Sequence, residues 1–123
     1  MTIKLSEVSA PLAAALIQRK QTVAVAESST GGLISASLLA VPGASAYYLG
    51  GTVIYTARSR KQVLGVTPED VADLEPLTEA MALSFAQVAR RQLNSTWAVA
   101  ELGIAGPTPA RYGHAAGLSV IGI

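Results

Sequence analysis

From Val23 to Gly43 the chain reads VAVAESSTGGLISASLLAVPG. A short apolar run stops at Glu27. Ser28, Ser29, Thr30, Gly31 and Gly32 follow, and a small-residue apolar segment begins at Leu33. The pattern reads as strand, loop, helix. The first N–H groups of a helix have no internal partners and favour anions. Glycines there let a ligand approach the backbone, and the hydroxyls add hydrogen bonds. No Gly-Lys-Ser/Thr follows, so this is not a Walker loop, and the glycine spacing does not fit the dinucleotide fingerprint. Two readings stand level on physics alone: an anion cradle, or a hydroxyl helix cap with glycines that permit close packing.

Two further stretches carry polar candidates. In VPGASAYYLGGTVIYTARSRK, Ser45 lies just past a Pro-Gly stop, Tyr55 ends a strand, and Arg60 and Lys61 follow. A serine near a tyrosine and a cation can be an activated nucleophile. The residues alone favour an exposed loop serine beside a solvated basic turn. In GIAGPTPARYGHAAG, Gly103 and Gly106 flank a strand end, with Thr108, Arg111 and His114 as polar candidates. Such loops form ligand sites in α/β sheets, and Arg111 suits a phosphate or carboxylate. Glu27 and Glu101 each end a buried strand and need a partner there; for Glu27 the positive end of the next helix can serve.

The elements that must position these groups follow from periodicity. Leu5 to Lys20 reads as a helix, with Ser9 favoured as its cap because Pro11 belongs in a first turn. Thr22–Ala26 reads as a short buried strand and Leu33–Leu39 as a helix, then Gly50–Thr56 as a strand and Arg58–Leu64 as a short helix. Thr67-Pro-Glu-Asp signals another helix start. A longer helix runs from Thr78 to about Leu93, with Leu77, Met81, Phe85 and Val88 on one face. Thr96–Leu102 and the final LSVIGI read as strands. Helices alternating with buried strands imply an α/β fold with helices on both faces of the sheet. The last two strands are too close in sequence for a helical crossover, so the sheet should be mixed.

Composition bounds the rest. The 123 residues suit one domain. A net charge of +1 builds no field for nucleic acid. With no cysteine there is no thiolate nucleophile or disulfide, and one histidine, His114, excludes a poly-histidine metal site. No apolar run approaches the ~20 residues of a membrane span. The expectation is a soluble, cytoplasmic protein with no metal. Because the chain ends on the apolar SVIGI, more chain is expected after Ile123.

Together, ESSTGG, VPGAS, GGTVIYTARSRKQVLGV and LGIAGPT, in this order and spacing, resemble the C-terminal domain of competence/damage-inducible protein CinA. That family includes stand-alone nicotinamide-nucleotide amidases. The resemblance spans about Leu5 to Ile123, as a single domain lacking the family's last strand and helix. It implies a three-layer α/β/α sandwich with a mixed, mostly parallel sheet, and a homo-oligomer. It implies hydrolysis of the carboxamide of nicotinamide mononucleotide, with no cofactor and a pyridine nucleotide as the partner molecule. By position, Ser45 resembles the catalytic serine and Tyr55 its partner, with Arg60 or the adjacent Lys61 where the family has a lysine. Glu27, Ser28, Ser29, Thr30, Gly31 and Gly32 would form one wall of the nucleotide pocket. Ala105, Gly106, Pro107, Thr108 and Arg111 would form the other. Arg60 in place of lysine and Leu102 in place of threonine keep a second reading open: a paralogue that binds a nucleotide, or serves as an oligomeric module, without this reaction.

Overall fold

The computed structural model describes residues 2–109 and 113–123. Its centre is β1 (Val23–Glu27), a run of valine and alanine buried at every position. It lies between β2 (Tyr48–Val53) and β3 (Trp97–Gly103), parallel to both. The fourth strand, β4 (Ser119–Gly122), pairs antiparallel with β3, as the short connection requires. The sheet order is β2-β1-β3-β4.

Side chains alternate across a strand, and here the alternation sorts two cores. Val23 and Val25 pack with Ala13 and Leu16 of α1 (Leu5–Arg19) and Leu38 of α2 (Leu33–Leu39). Ala24 and Ala26 face the other way. With Ala98, Ala100 and Leu102 they meet Ala82, Phe85, Ala86 and Ala89 of α4 (Glu79–Leu93). The small side chains let α4 lie close to the sheet. At Gly122 an added Cβ would fall 2.5 Å from the Ala82 carbonyl carbon. The result is the expected three-layer α/β/α architecture. No helix among the described residues is long and apolar enough to cross a membrane.

Several local expectations are corrected. α1 begins at Leu5, so Ser9 is not its cap; Lys4 holds the cap position without a side-chain bond. Buried Ser9 instead sits with its hydroxyl 2.5 Å from Ser37 Oγ, tying α1 to α2. Pro11 falls in the second turn, on the exposed side, where solvent can satisfy the Glu7 carbonyl that lacks a helical donor. β2 starts two residues early, at Tyr48, and stops at Val53. The Arg58–Leu64 helix divides into α3 (Ala57–Ser59), capped by Thr56, and a π-turn over Arg60–Leu64. Thr67 starts only a 3₁₀ turn, Glu69–Val71. The Asp70 carboxylate accepts from Thr67 N–H at 2.9 Å, and Asp73 then turns left-handed at φ 62°. With Pro76 close behind, no length remains for a helix.

Candidate functional site

Parallel strands leave a crevice beyond their carboxyl ends. Here it is a cavity of about 500 Å³ past β1, β2 and β3. Ser28, Gly103 and Ile104 meet it from the central strands. Tyr55, Thr56, Ala57 and Arg60 form the side beyond β2, with Pro76 and Leu77 next to them. Ala105, Gly106, Thr108 and Pro109 form the side beyond β3.

Two buried carboxylates shape this edge from behind. Glu27 accepts from the Ile34 and Ser35 N–H groups, each at 3.0 Å, and from Thr30 Oγ1 at 2.6 Å. It therefore caps α2 from the end of β1, meeting the helix's positive end. Glu101 accepts from Ser28 N–H at 3.0 Å, Thr30 N–H at 3.1 Å and Ser29 Oγ at 2.5 Å. Thr30 Oγ1 and Ser119 Oγ approach Glu101 at 3.0 and 3.3 Å. Burial opposes ionisation of both acids. For Glu27 the bonds from Thr30, Ser35 and Ile34 outweigh burial, and the pKa lies below its ordinary value. For Glu101 the bonds from Ser29, Thr30 and Ser28 do the same.

The level choice between cap and cradle at Ser28–Gly32 is thus partly resolved. The loop's polar groups serve Glu101 and Glu27, and two glycines at φ 65° and 109° turn the chain into α2. Ser28 alone of the five lines the cavity. Ser29 and Thr30 act one layer behind it.

Among the described residues the cation at the site is Arg60. Its Nη2 lies 3.5 Å from buried Ser28 Oγ, its Nε donates to the Ile54 carbonyl at 3.3 Å, and its guanidinium stacks 5.4 Å above the Phe85 ring. These contacts hold a permanent positive charge beside the cavity.

Gly103 lies where the carboxylate network meets the cavity. A Cβ there would fall 2.3 Å from Ser29 Oγ, 2.7 Å from Glu101 Oε2 and 2.9 Å from the Leu118 carbonyl. Gly103→Ala must push apart the hydroxyl, the carboxylate or backbone. We expect a loss of about 2–3 kcal/mol, at the upper part of the range for overpacking. A urea midpoint equal to wild type would show that the loop yields at no cost.

Of the sequence candidates, the cavity gathers Ser28, Tyr55, Arg60, Ala105, Gly106 and Thr108. Pro107 lies between lining residues, after a cis peptide bond from Gly106. Lys61 faces an adjacent groove with Thr67 and Pro68. Arg111 lies outside the described residues. Ser45 is not at this cavity. It is exposed on a 3₁₀ turn, Ala44–Ala46, that precedes β2, whereas Tyr55 follows β2. A six-residue strand spans about 20 Å, so Ser45 and Tyr55 of one chain lie off opposite ends of β2. Leu102, the position of the missing hydroxyl, is fully buried in the core under α4.

Sequence reasoning missed Thr56, Ala57, Pro76, Leu77, Ile104 and Pro109. Pro76-Leu77 gave the only usable signal, a proline just before a helix start. Leu77 adopts φ 55° there and turns to the cavity.

Comparison with known proteins adds a family. Residues 5–123 match the model of the CinA C-terminal domain. A CinA-like protein of Sulfurihydrogenibium sp. is 43% identical over 107 residues, covering 87% of this chain and 27% of that protein. A CinA-like protein of Thermosynechococcus vestitus is 40% identical over 108 residues, covering 88% and 26% respectively. The chain thus spans about a quarter of these curated relatives. Among solved structures, a CinA superfamily protein from Enterobacter cloacae superposes with TM-score 0.86 at 30% identity, over 98% of this chain and 72% of that one. A competence/damage inducible protein from Agrobacterium tumefaciens gives 0.84 at 30% identity, over 98% and 75%.

Proposed function

The chain belongs to the CinA C-terminal domain family, and on that premise we propose that it hydrolyses the carboxamide of nicotinamide mononucleotide to nicotinic acid mononucleotide and ammonia. The observation that carries this reading is the cavity beyond the strand ends, with the Arg60 cation fixed beside the Ser28 hydroxyl. A mononucleotide brings a phosphate, which an arginine binds well. It also brings a flat pyridinium, which the ring of Tyr55, exposed at the cavity's side, can stack against. The cavity of about 500 Å³ is in the size range of small-molecule sites.

In this scheme Ser45, the serine to which the resemblance points, must be brought to the cavity from which one chain holds it about 20 Å away; its Oγ attacks the carboxamide carbon and loses its proton, the C–N bond breaks, and nitrogen leaves as ammonia carrying a proton. Water then attacks the acyl ester, releasing the acid and restoring the serine hydroxyl. Arginine stays protonated, so Arg60 supplies charge rather than a base. Tyr55, at the cavity, is the group that can pass the proton, with Lys61 in the adjacent groove, and backbone N–H groups stabilise the oxyanion. Water is the only co-substrate, and a cytoplasmic setting fits such a reaction.

One observation favours a second reading. The permanent charge of Arg60, where the family has a lysine, suits binding better than proton transfer, so the pocket would hold a nucleotide without turning it over. Incubation of purified protein with nicotinamide mononucleotide separates the two. Ammonia and the acid product in equal amounts support the amidase; binding by calorimetry with neither product supports the second reading. Neither turnover nor binding overturns both.

A further inference from the structure

We propose that the groove beside the cavity is a second nucleoside site, so that the two compartments together hold a pyridine dinucleotide by its pyrophosphate. This extends the nucleotide reading of the cavity and rests on it for the place of the first phosphate. The groove has a volume of about 300 Å³, at the lower end of small-molecule sites. Val66, Val71, Met81 and Phe85 line it. Phe85 belongs to the core between α4 and the sheet, and the other three pack against that core, so they form a fixed apolar floor. Lys61, Thr67 and Pro68 are exposed and form the rim.

The occupant follows from the boundary between the compartments. Ala57, Arg60 and Pro76 line both, and so lie between them. The Arg60 guanidinium serves both sides. Its Nη2 reaches Ser28 Oγ in the cavity at 3.5 Å, and its face covers the Phe85 ring of the groove at 5.4 Å. Lys61 follows directly on the same π-turn and lines the groove. The crossing is therefore cationic at its middle and again just beyond. A pyrophosphate matches that order, with one phosphate at Arg60 and the next at Lys61. Past it, the apolar floor suits a flat base. Asp70, on the turn beside the groove, does not oppose this charge. Its carboxylate accepts from Thr67 N–H and from Arg91, each at 2.9 Å, and it does not line the groove. A mononucleotide reaches Arg60 and uses none of these groove contacts.

Calorimetry on the purified protein compares nicotinamide mononucleotide, nicotinamide adenine dinucleotide and adenosine 5′-diphosphate. The dinucleotide should bind about tenfold tighter than the mononucleotide or better, since one added bond to a charged group is worth about that factor. Pro68→Glu and Val71→Glu each bring a negative charge to the groove. Both should remove the gain and leave affinity for the mononucleotide within about twofold. Pro68 is exposed, so Pro68→Glu should keep the wild-type melting temperature even where Val71→Glu unfolds the chain. A dinucleotide that binds no tighter than the mononucleotide overturns the proposal, as does a gain that survives Pro68→Glu. The diphosphate keeps this result apart from the reading of the cavity, because it carries a base and two phosphates without a pyridine. If it binds, and Pro68→Glu weakens it about tenfold, while the mononucleotide does not bind, the reading of the cavity fails alone and the groove site stands. If neither binds, both fail.

Discussion

Glu101→Leu should lower stability by about 3–5 kcal/mol, the largest loss expected from one substitution in this chain. Glu101 is fully buried, and the main-chain N–H groups of Ser28 and Thr30 both donate to it. Leucine fills the volume but accepts nothing. The buried Ser28 N–H and the part-buried Thr30 N–H are then stranded, at about 1–3 kcal/mol for a buried group, and Ser29 Oγ loses its acceptor as well. A domain of this kind is stable by roughly 5–15 kcal/mol, so the variant should be marginal at 37 °C. Urea unfolding followed by circular dichroism measures the loss. A variant within about 1 kcal/mol of wild type would mean that the loop finds other partners.

The same network sets an acid limit. Glu27 and Glu101 both titrate below their ordinary value of about 4.5. The unfolded chain therefore takes up protons first as pH falls. The stability these groups contribute is complete above about pH 4.5 and is lost as pH drops through their lower folded values. Glu101→Gln keeps one acceptor oxygen and should flatten part of this dependence, with Glu27 supplying the remainder.

What could be read in the sequence divides along physical lines. The long elements were legible because burial imposes a period: α4 from its apolar face, β1 from an uninterrupted apolar run, and the reversal of β4 from loop length. Fold and family were legible for the same reason, since several motifs stood in register. Local capping chemistry misled where tertiary contacts overrode it. Thr67-Pro-Glu-Asp has every mark of a helix start, and Thr67 and Asp70 do bond reciprocally, but Ser84 and Arg91 of α4 hold Asp70 and the chain turns left-handed at Asp73, leaving one turn. Ser9 looked like a cap and is a helix-to-helix bond. The site was half legible. Ser28, Tyr55, Arg60 and the Ala105–Thr108 loop converge because they all follow strand ends. Glu27 and Glu101 were recognisable as buried acids in need of partners, but the loop donors of Glu101 lie 71 to 73 residues away in sequence. No local pattern encodes that. For Ser45 the sequence carried no sense of distance, for a topological reason. Nearness in sequence to Tyr55 suggested nearness in space, but a strand separates the two.

That separation makes Ser45→Ala the most informative change for function. The hydroxyl is exposed on the 3₁₀ turn, and the turn is anchored by its neighbours: Ala44 is buried, and Tyr47 sends its hydroxyl to the Leu38 carbonyl. Removing Oγ should therefore change stability by no more than about 0.5 kcal/mol, as at ordinary surface positions. If Ser45 forms the acyl ester, turnover should fall by about 10³-fold or more, because no covalent route remains. On the proposed reading, affinity for nicotinamide mononucleotide should stay within about twofold, since that reading gives the phosphate and ring to Arg60 and Tyr55. Calorimetry beside product assay reads both. Ser28→Ala is the necessary companion, because Ser28 Oγ already sits in the cavity beside Arg60. Should Ser28→Ala abolish turnover while Ser45→Ala leaves it whole, the nucleophile lies within one chain and the exposed turn has no part in the chemistry. If Ser45→Ala alone abolishes it, the reacting hydroxyl comes from the far end of β2, about 20 Å from the cavity within one chain.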